Sequence, residues 1–586
     1  MESQDSRKYP TQLAARLCSH LERIYPSHDI KKLCQDVQTA YWGNGIEPRR
    51  RARMPGNSLW SEKDNTLITY GNSIIDGAHT PLDLLDDFLL TCLDGVISGV
   101  HILPFFPYTS DDGFAVTDYY QVNSSLGSWS HISRIADNFT LMSDLVINHM
   151  SSQGEWFSQY RQDKAPGNRF FFEANIEDDI SQVVRPRAHP LLRKVETVNG
   201  TRHVWCTFSH DQVDFDFSNP DVLLEFLKIM RFHINKGVRT IRLDAVAFMW
   251  KQIGTRCIHL PQTHEIVRLM RTLADYSDEK IILITETNVP NAENLSYFGN
   301  RNEAHAIYNF SLPPLIVHAL LFGTSQYLNA WQMAMPPAQL GCAYFNFVAS
   351  HDGIGMRPAE GLLPDQEISQ MIDLLENHGG RLSKRAVNGG GEKVYEVNIA
   401  LFDAFQGTQD GLDTLQKERF LCSQSVMMAL EGIPGFYIHS LLATSNDYAF
   451  LEKTGHNRSI NRHQWDYTKL NMLLNDPKSV QNQILLELKR RIKIRSQQAA
   501  FHPNATQFTL QLGTKLFGFW RQSLDRSQSI FAIANVTHET VTLPLINLNL
   551  IEGDQWIDLL SSDSIASKTS DLEFAPYQCR WISNQL

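Results

Sequence analysis

The chain has 586 residues, of which 42% are hydrophobic and 20% charged, a balance that excludes a largely disordered polypeptide and allows several domains at roughly 150 residues each. Fifty-three basic side chains against 64 acidic ones give a formal net charge of -11, which excludes a broad cationic surface for nucleic acid or anionic membrane. A small arginine-lined anion pocket stays open. The eight cysteines stand singly, at 18, 34, 92, 206, 257, 342, 422 and 579, the pattern of free thiols in a reducing compartment. The N-terminus mixes charges from residue 2 onward, and no uncharged apolar run of about 18 residues follows. The expectation is a cytoplasmic protein that binds neither nucleic acid nor membrane.

In chain order, Leu13, Leu17, Leu21 and Ile24 recur at helical spacing, so residues 1–60 read as a helical extension ending in the basic cluster EPRRRARMP. From residue 66 short apolar runs alternate with helical stretches: TLITYG (66–71), GVHILPF (99–105), LMSDLVINH (141–149), TIRLDAV (240–246), IILITET (281–287), AIYNF (306–310), YFNFVASHD (344–352) and GFYIH (435–439). Parallel strands buried on both faces produce such runs, and eight of them suit a (β/α)8 barrel or, on periodicity alone, a doubly wound open sheet. The polar residues favour the barrel. Asp111, His149, Asp244, Glu286, His351 with Asp352 and, further on, Arg458 fall at or beyond the C-terminal strand ends, which in a barrel converge on one face. The stretch 150–239 exceeds a simple helical crossover, which places an inserted subdomain at 151–216. The stretch 353–417, with its glycine run NGGGEK (388–393), reads as a mobile loop over the site. Beyond residue 503 the alternation in QFTLQL, KLFGFWRQ, SIFAIANVT, TVTLPL and YQCRWIS marks an antiparallel β-sandwich. The expected division is an extension (1–60), an α/β (β/α)8 TIM barrel (61–150 and 217–503), the insertion (151–216) and a C-terminal sandwich (504–586).

Three carboxylates end predicted strands: Asp244 in TIRLDAVAF, Glu286 in LITETNVP and Asp352 in VASHDGIG. One such residue is most simply a structural ion pair, but three on one barrel face point to catalysis. Paired carboxylates about 5 Å apart serve retaining glycosyl transfer, one attacking the anomeric carbon and the other protonating the leaving oxygen. Asp244 has Arg242 on the same side of its strand, which keeps it ionised and suits a nucleophile. Glu286 sits among apolar residues and threonines, which suits an acid. Asp352 beside His351 suits a group that holds sugar hydroxyls and favours the oxocarbenium ion.

These segments resemble glycoside hydrolase family 13, the α-amylase clan, whose four short regions stand here as DLVINH (144–149), IRLDAV (241–246), ITETN (284–288) and NFVASHD (346–352). The similarity spans roughly residues 60–580. Within that family the chain looks closest to the sucrose phosphorylase subfamily and its glucosylglycerate phosphorylase branch, through HILPFFPYTSDDGFAVTDY (101–119), VVRPRAHPLL (183–192), TFSHDQVDFDF (207–217), RLDAVAFMWK (242–251), VYEVN (394–398) and NRSINRHQW (457–465). The resemblance implies Asp244 as nucleophile, Glu286 as acid/base and Asp352 as transition-state stabiliser, with His149, Arg242 and His351 lining a glucose subsite. It further implies that Asp111, Phe114, Phe208, Gln212 and Arg458 close a pocket for one terminal glucose, against endo-cleavage of a polymer.

Phosphorolysis requires fixed cations where the acceptor waits. Arg185 and Arg187 match the subfamily's acceptor-loop motif, and Tyr395 and Glu396 follow as further acceptor contacts. Two departures from the sucrose phosphorylases, Phe248 for a tyrosine and Glu396 for a glutamine, favour a small polyol-like aglycone, with His189, Arg193 and Lys393 as candidate partners of a glycerate carboxylate. Asn148 and His149 alone do not make a metal site, and neither metal nor cofactor is expected. The expected activity is a retaining α-glucoside phosphorylase, monomeric or homodimeric, passing glucose from glucosylglycerate or glucosylglycerol to inorganic phosphate. Sucrose or sucrose 6-phosphate phosphorolysis, α-glucosidase or transglucosylase action, and an inactive sugar-binding barrel are the alternatives.

Overall fold

The computed structural model describes residues 8–43, 59–386, 391–548, 556–565 and 571–585. The basic cluster at 47–55 and the first half of the glycine run 388–393 lie outside them.

Eight parallel strands close into a barrel: β1 Thr66–Thr69, β2 Gly99–Ile102, β3 Thr140–Val146, β4 Val238–Asp244, β5 Ile282–Thr285, β6 Ala306–Tyr308, β7 Ala343–Asn346 and β8 Ile433–Tyr437. Each apolar run of the sequence supplies one strand. Closure of β8 onto β1, with Gly435 opposite Thr66, excludes the open sheet. Strands β2, β7 and β8 are buried at every position, as expected when helices cover the outside and side chains fill the inside.

Two helices precede the barrel, α1 Lys8–Ile24 and α2 Ile30–Trp42, the second capped by Asp29, which accepts from the Lys32 amide. The stripe Leu13, Leu17, Leu21 and Ile24 is at most 3% exposed. Polar anchors fix the pair on the barrel's helices: His20 Nδ1 lies 2.6 Å from Glu265, Tyr25 donates to the Phe217 carbonyl at 2.8 Å, and Tyr41 meets Ser277 at 2.7 Å.

The chain leaves β3 at Val146, so His149 belongs not to that strand but to a short strand, His149–Ser151, which pairs antiparallel with Gln212–Asp214. This pairing ties the outward and returning ends of the long β3–β4 excursion together. A hairpin, Leu192–Thr197 with Gly200–Trp205, lies between them. The excursion after β7 is not the bare mobile loop expected. Its described part carries a helix, Asp365–Asn377, and a three-stranded antiparallel sheet in the order Ile354–Gly355, Glu392–Asn398, Arg381–Ala386.

At the C-terminal end a six-stranded antiparallel sheet includes Thr506–Thr509, Leu516–Gln522, Ser529–Asn535 and Cys579–Ser583. Alternation decides its two faces: Leu516, Phe531, Ile533 and Ile582 pack with Leu543 and Phe574 of a separate two-stranded ribbon, while Phe517, Phe519 and Trp581 join the main core. No helix among the described residues is long and apolar enough to cross a membrane.

Candidate active site

Asp244 is the last residue of β4, and Glu286 follows the last residue of β5. One guanidinium reaches both. Arg242 is buried, donates to Asp244 at 2.7 Å, pairs with Asp144 on the neighbouring strand, and lies 3.9 Å from Glu286. Ala245 adopts left-handed backbone at φ 50°, a conformation that costs a residue with a Cβ roughly 1–2 kcal/mol. In return its amide donates to Glu286 at 3.0 Å. Burial pushes the carboxyls of both Asp244 and Glu286 upward, and Glu286 adds to the rise at Asp244. At Glu286 the nearby charge of Asp352 adds to the rise that burial begins. The 2.7 Å contact with Arg242 opposes the rise at Asp244, and the same guanidinium stands farther from Glu286, at 3.9 Å.

Asp352 takes the opposite course. Burial alone raises it, but the guanidiniums of Arg458, Arg462, Arg242 and Arg187 outweigh burial and hold it below the usual carboxylate range. Arg458 lies 2.7 Å from Asp352. Burial, reinforced by these arginines, likewise drives His351 well below the ordinary histidine range, so its imidazole is neutral, and it stacks on Phe114 with centroids 5.1 Å apart at 9°. His149 is lowered mainly by burial and lies 3.1 Å from the Phe114 carbonyl. Asp111 and Asp112 both adopt left-handed backbone. That turn brings Asp111 within 3.3 Å of the Gln212 amide and 3.9 Å of Arg458, and pairs Asp112 with Arg462.

Asp111, Phe114, His149, Gln212, Arg242, Asp244, Glu286, His351, Asp352 and Arg458 line one pocket, together with Phe208, Arg187, Tyr395, Ala245 and Asn288. Thirteen of the fifteen site residues expected from the sequence converge there, and Arg185 and Glu396 do not. Glu396 lies behind the wall, 1% exposed, gripping Arg458 through two contacts of 2.7 and 3.0 Å and accepting from Asn398 at 2.9 Å. Its negative charge is therefore spent on Arg458 and is not offered to an acceptor. Arg185 is half-buried outside the pocket, while Arg187 faces it across the Tyr395 ring, 4.9 Å from the centroid.

The three cations suggested for a glycerate carboxylate also lie off the pocket. Arg193 donates to the His210 carbonyl, His189 to that of Pro190, and Lys393 sits on the strand opposite Arg385. Phe248 backs Phe208 edge-on at 5.5 Å without reaching the lining. Sequence reasoning missed Asn288, whose buried Oδ1 has no hydrogen-bond partner among the described residues. Its signal was present: it stands two residues past Glu286, on the same side of an extended chain. Among the described residues no group of three or more histidine, cysteine or acidic side chains is arranged to hold a metal ion.

Comparison with known proteins adds the family. The α-amylase catalytic domain matches residues 94–353. A glucosylglycerate phosphorylase of Spirochaeta thermophila is 40% identical over 529 residues, 89% of this chain and 90% of that one. The glucosylglycerate phosphorylase of Escherichia coli K12 is 36% identical over 574 residues, 97% of this chain and 99% of that one. Among solved structures, sucrose 6F-phosphate phosphorylase from Thermoanaerobacter thermosaccharolyticum has the same fold, with a TM-score of 0.71 at 22% identity, covering 90% of this chain and 100% of that one. Identity at this level over almost all of its length means that the chain belongs to the α-amylase family, glycoside hydrolase family 13, and within it to the sucrose phosphorylase subfamily.

Proposed function

We propose that this chain is a retaining glucosylglycerate phosphorylase, and that its likeness to such enzymes along nearly the whole chain carries the choice of aglycone. In the first half-reaction Asp244 attacks the anomeric carbon as Glu286 gives its proton to the glycerate oxygen. The C1–O bond breaks, glycerate leaves, and a β-glucosyl ester on Asp244 remains. Ionised Asp352, with Arg458 and neutral His351, holds the ring hydroxyls and meets the positive charge that develops at C1. In the second half-reaction a phosphate oxygen attacks C1 from the face that glycerate vacated, Glu286 takes its proton, the ester bond from C1 to Asp244 breaks to restore the carboxylate, and α-glucose 1-phosphate leaves with retained configuration.

Arg187 is the proposed phosphate holder, supported by its place on the lining beside Tyr395. His149, Gln212, Asp111, Phe114 and Phe208 supply the walls of a pocket for one glucose ring. We place the reaction in the cytoplasm, consistent with eight free cysteines, with a monomer or homodimer as the working unit.

The test is release of glucose 1-phosphate from glucosylglycerate, glucosylglycerol, sucrose and sucrose 6-phosphate, each with and without inorganic phosphate. Phosphate-dependent release from glucosylglycerate alone is the expected result. Preference for another donor replaces the aglycone. Free glucose formed equally without phosphate replaces phosphorolysis by hydrolysis.

A further inference from the structure

A second cavity, open to solvent, shares no lining residue with the active site. It lies outside the barrel wall, where the barrel meets the C-terminal sheet. Tyr344 of β7 faces it, because the next residue, Phe345, turns inward onto Tyr308 with centroids 4.8 Å apart, and Tyr308 in turn meets Arg242. Helix Gln326–Ala334 supplies Trp331 and Gln332, the segment before β8 supplies Glu431, and the first strand of the C-terminal sheet supplies Gln507 and Thr509.

The polar chemistry of this wall is unfinished. Trp331 and Gln332 are 4% and 5% exposed, yet the indole Nε1 and both amide atoms of Gln332 lack a hydrogen-bond partner among the described residues. Buried donors and acceptors are rarely left so, and here two donors and an acceptor stand on adjacent residues. Glu431 accepts from the Ala338 amide at 2.7 Å, and burial pushes its carboxyl up to about 7. No arginine or lysine lines the cavity. An aromatic wall with mixed donors and acceptors and no cation matches a neutral polyhydroxylated ring and rejects anions.

We propose that this cavity is a second carbohydrate site, one that takes a neutral hexose such as glucose and refuses its phosphate ester. The inference is independent of which glucoside the active site cleaves.

Hydrogen–deuterium exchange on the full chain tests it, with glucose and with glucose 1-phosphate as probes. Glucose is expected to slow exchange in residues 326–340 and 505–510 as well as around the active site, whereas glucose 1-phosphate slows it around the active site alone. The double variant Trp331→Phe, Gln332→Leu is expected to lose the first effect, keep the second and turn over at the wild-type rate. Glucose protection confined to the active-site strands overturns the proposal, as does equal protection of 326–340 by the phosphate ester. The wild-type comparison decides even where the double variant fails to fold.

Discussion

In the proposed reaction Glu286 carries the proton and Asp244 the negative charge, and Arg242, 2.7 Å from Asp244 and 3.9 Å from Glu286, is the group that favours that division. A carboxyl whose pKa is raised is a competent acid below that pKa and loses the proton as pH rises through it, so Glu286 sets the alkaline limb of the rate profile. Glu286→Gln is expected to flatten that limb and to slow turnover of glucosylglycerate by roughly 10³-fold, while release of fluoride from α-glucosyl fluoride, a leaving group that needs no proton, stays far closer to wild type. Steady-state rates across pH with both donors check this. Glu396 makes its contribution through Arg458. Glu396→Gln keeps the shape and loses the charge, and is expected to raise KM for the donor about 10-fold, the scale of one charge-assisted hydrogen bond. Glu396→Asp is expected to recover part of it. If phosphate KM moves and donor KM does not, Glu396 faces the acceptor after all. The proposed catalytic residues were legible because each ends an apolar run of the sequence. The partner of Glu396 was not, since Arg458 lies 62 residues further along and only folding brings the two together.

At the scale of elements, the barrel, the N-terminal helices and the C-terminal antiparallel sheet were readable, and the segments that bear the acceptor residues were not. Apolar runs dictate burial on both faces and hence the strands β1–β8. The segment that carries Arg187 is irregular, which leaves no periodicity to read, and the strand that carries Tyr395, Glu392–Asn398, falls inside the stretch read from the sequence as a loop. Two arginines one residue apart in the RPR motif therefore looked equivalent in sequence, yet Arg187 reaches the pocket and Arg185 does not. Arg187→Ala is expected to raise phosphate KM by about 10- to 100-fold and to divert the glucosyl ester to water, whereas Arg185→Ala stays within roughly threefold of wild type. Initial rates against phosphate concentration, with free glucose counted beside glucose 1-phosphate, separate the two.

For the whole molecule, the junction between barrel and C-terminal sheet carries a cost that depends on pH. Burial lifts Glu431 from 4.5 to about 7. The folded state thus binds that proton more tightly than the unfolded chain does, so stability is lost as pH climbs from 4.5 to 7 and the full penalty, roughly 3 kcal/mol, persists above. Glu431→Gln, which keeps an oxygen for the Ala338 amide, is expected to raise Tm at pH 8 and to leave it unchanged near pH 4.5. A thermal melt at the two pH values decides. No sequence pattern announces this residue, because its burial comes from the barrel and the C-terminal sheet meeting over it.

The N-terminal helices add a consequence in time. The apolar stripe Leu13 to Ile24 packs early on helix α2, where the Cys34 thiol meets the Ala14 carbonyl, but its cover is complete only when Glu265 and its helix arrive, 245 residues after His20. At about 5–20 residues per second, that is a delay of roughly ten to fifty seconds. Through that interval the growing chain carries two helices whose apolar faces are only partly covered, so its yield in the cell is expected to depend on whatever shields nascent chains.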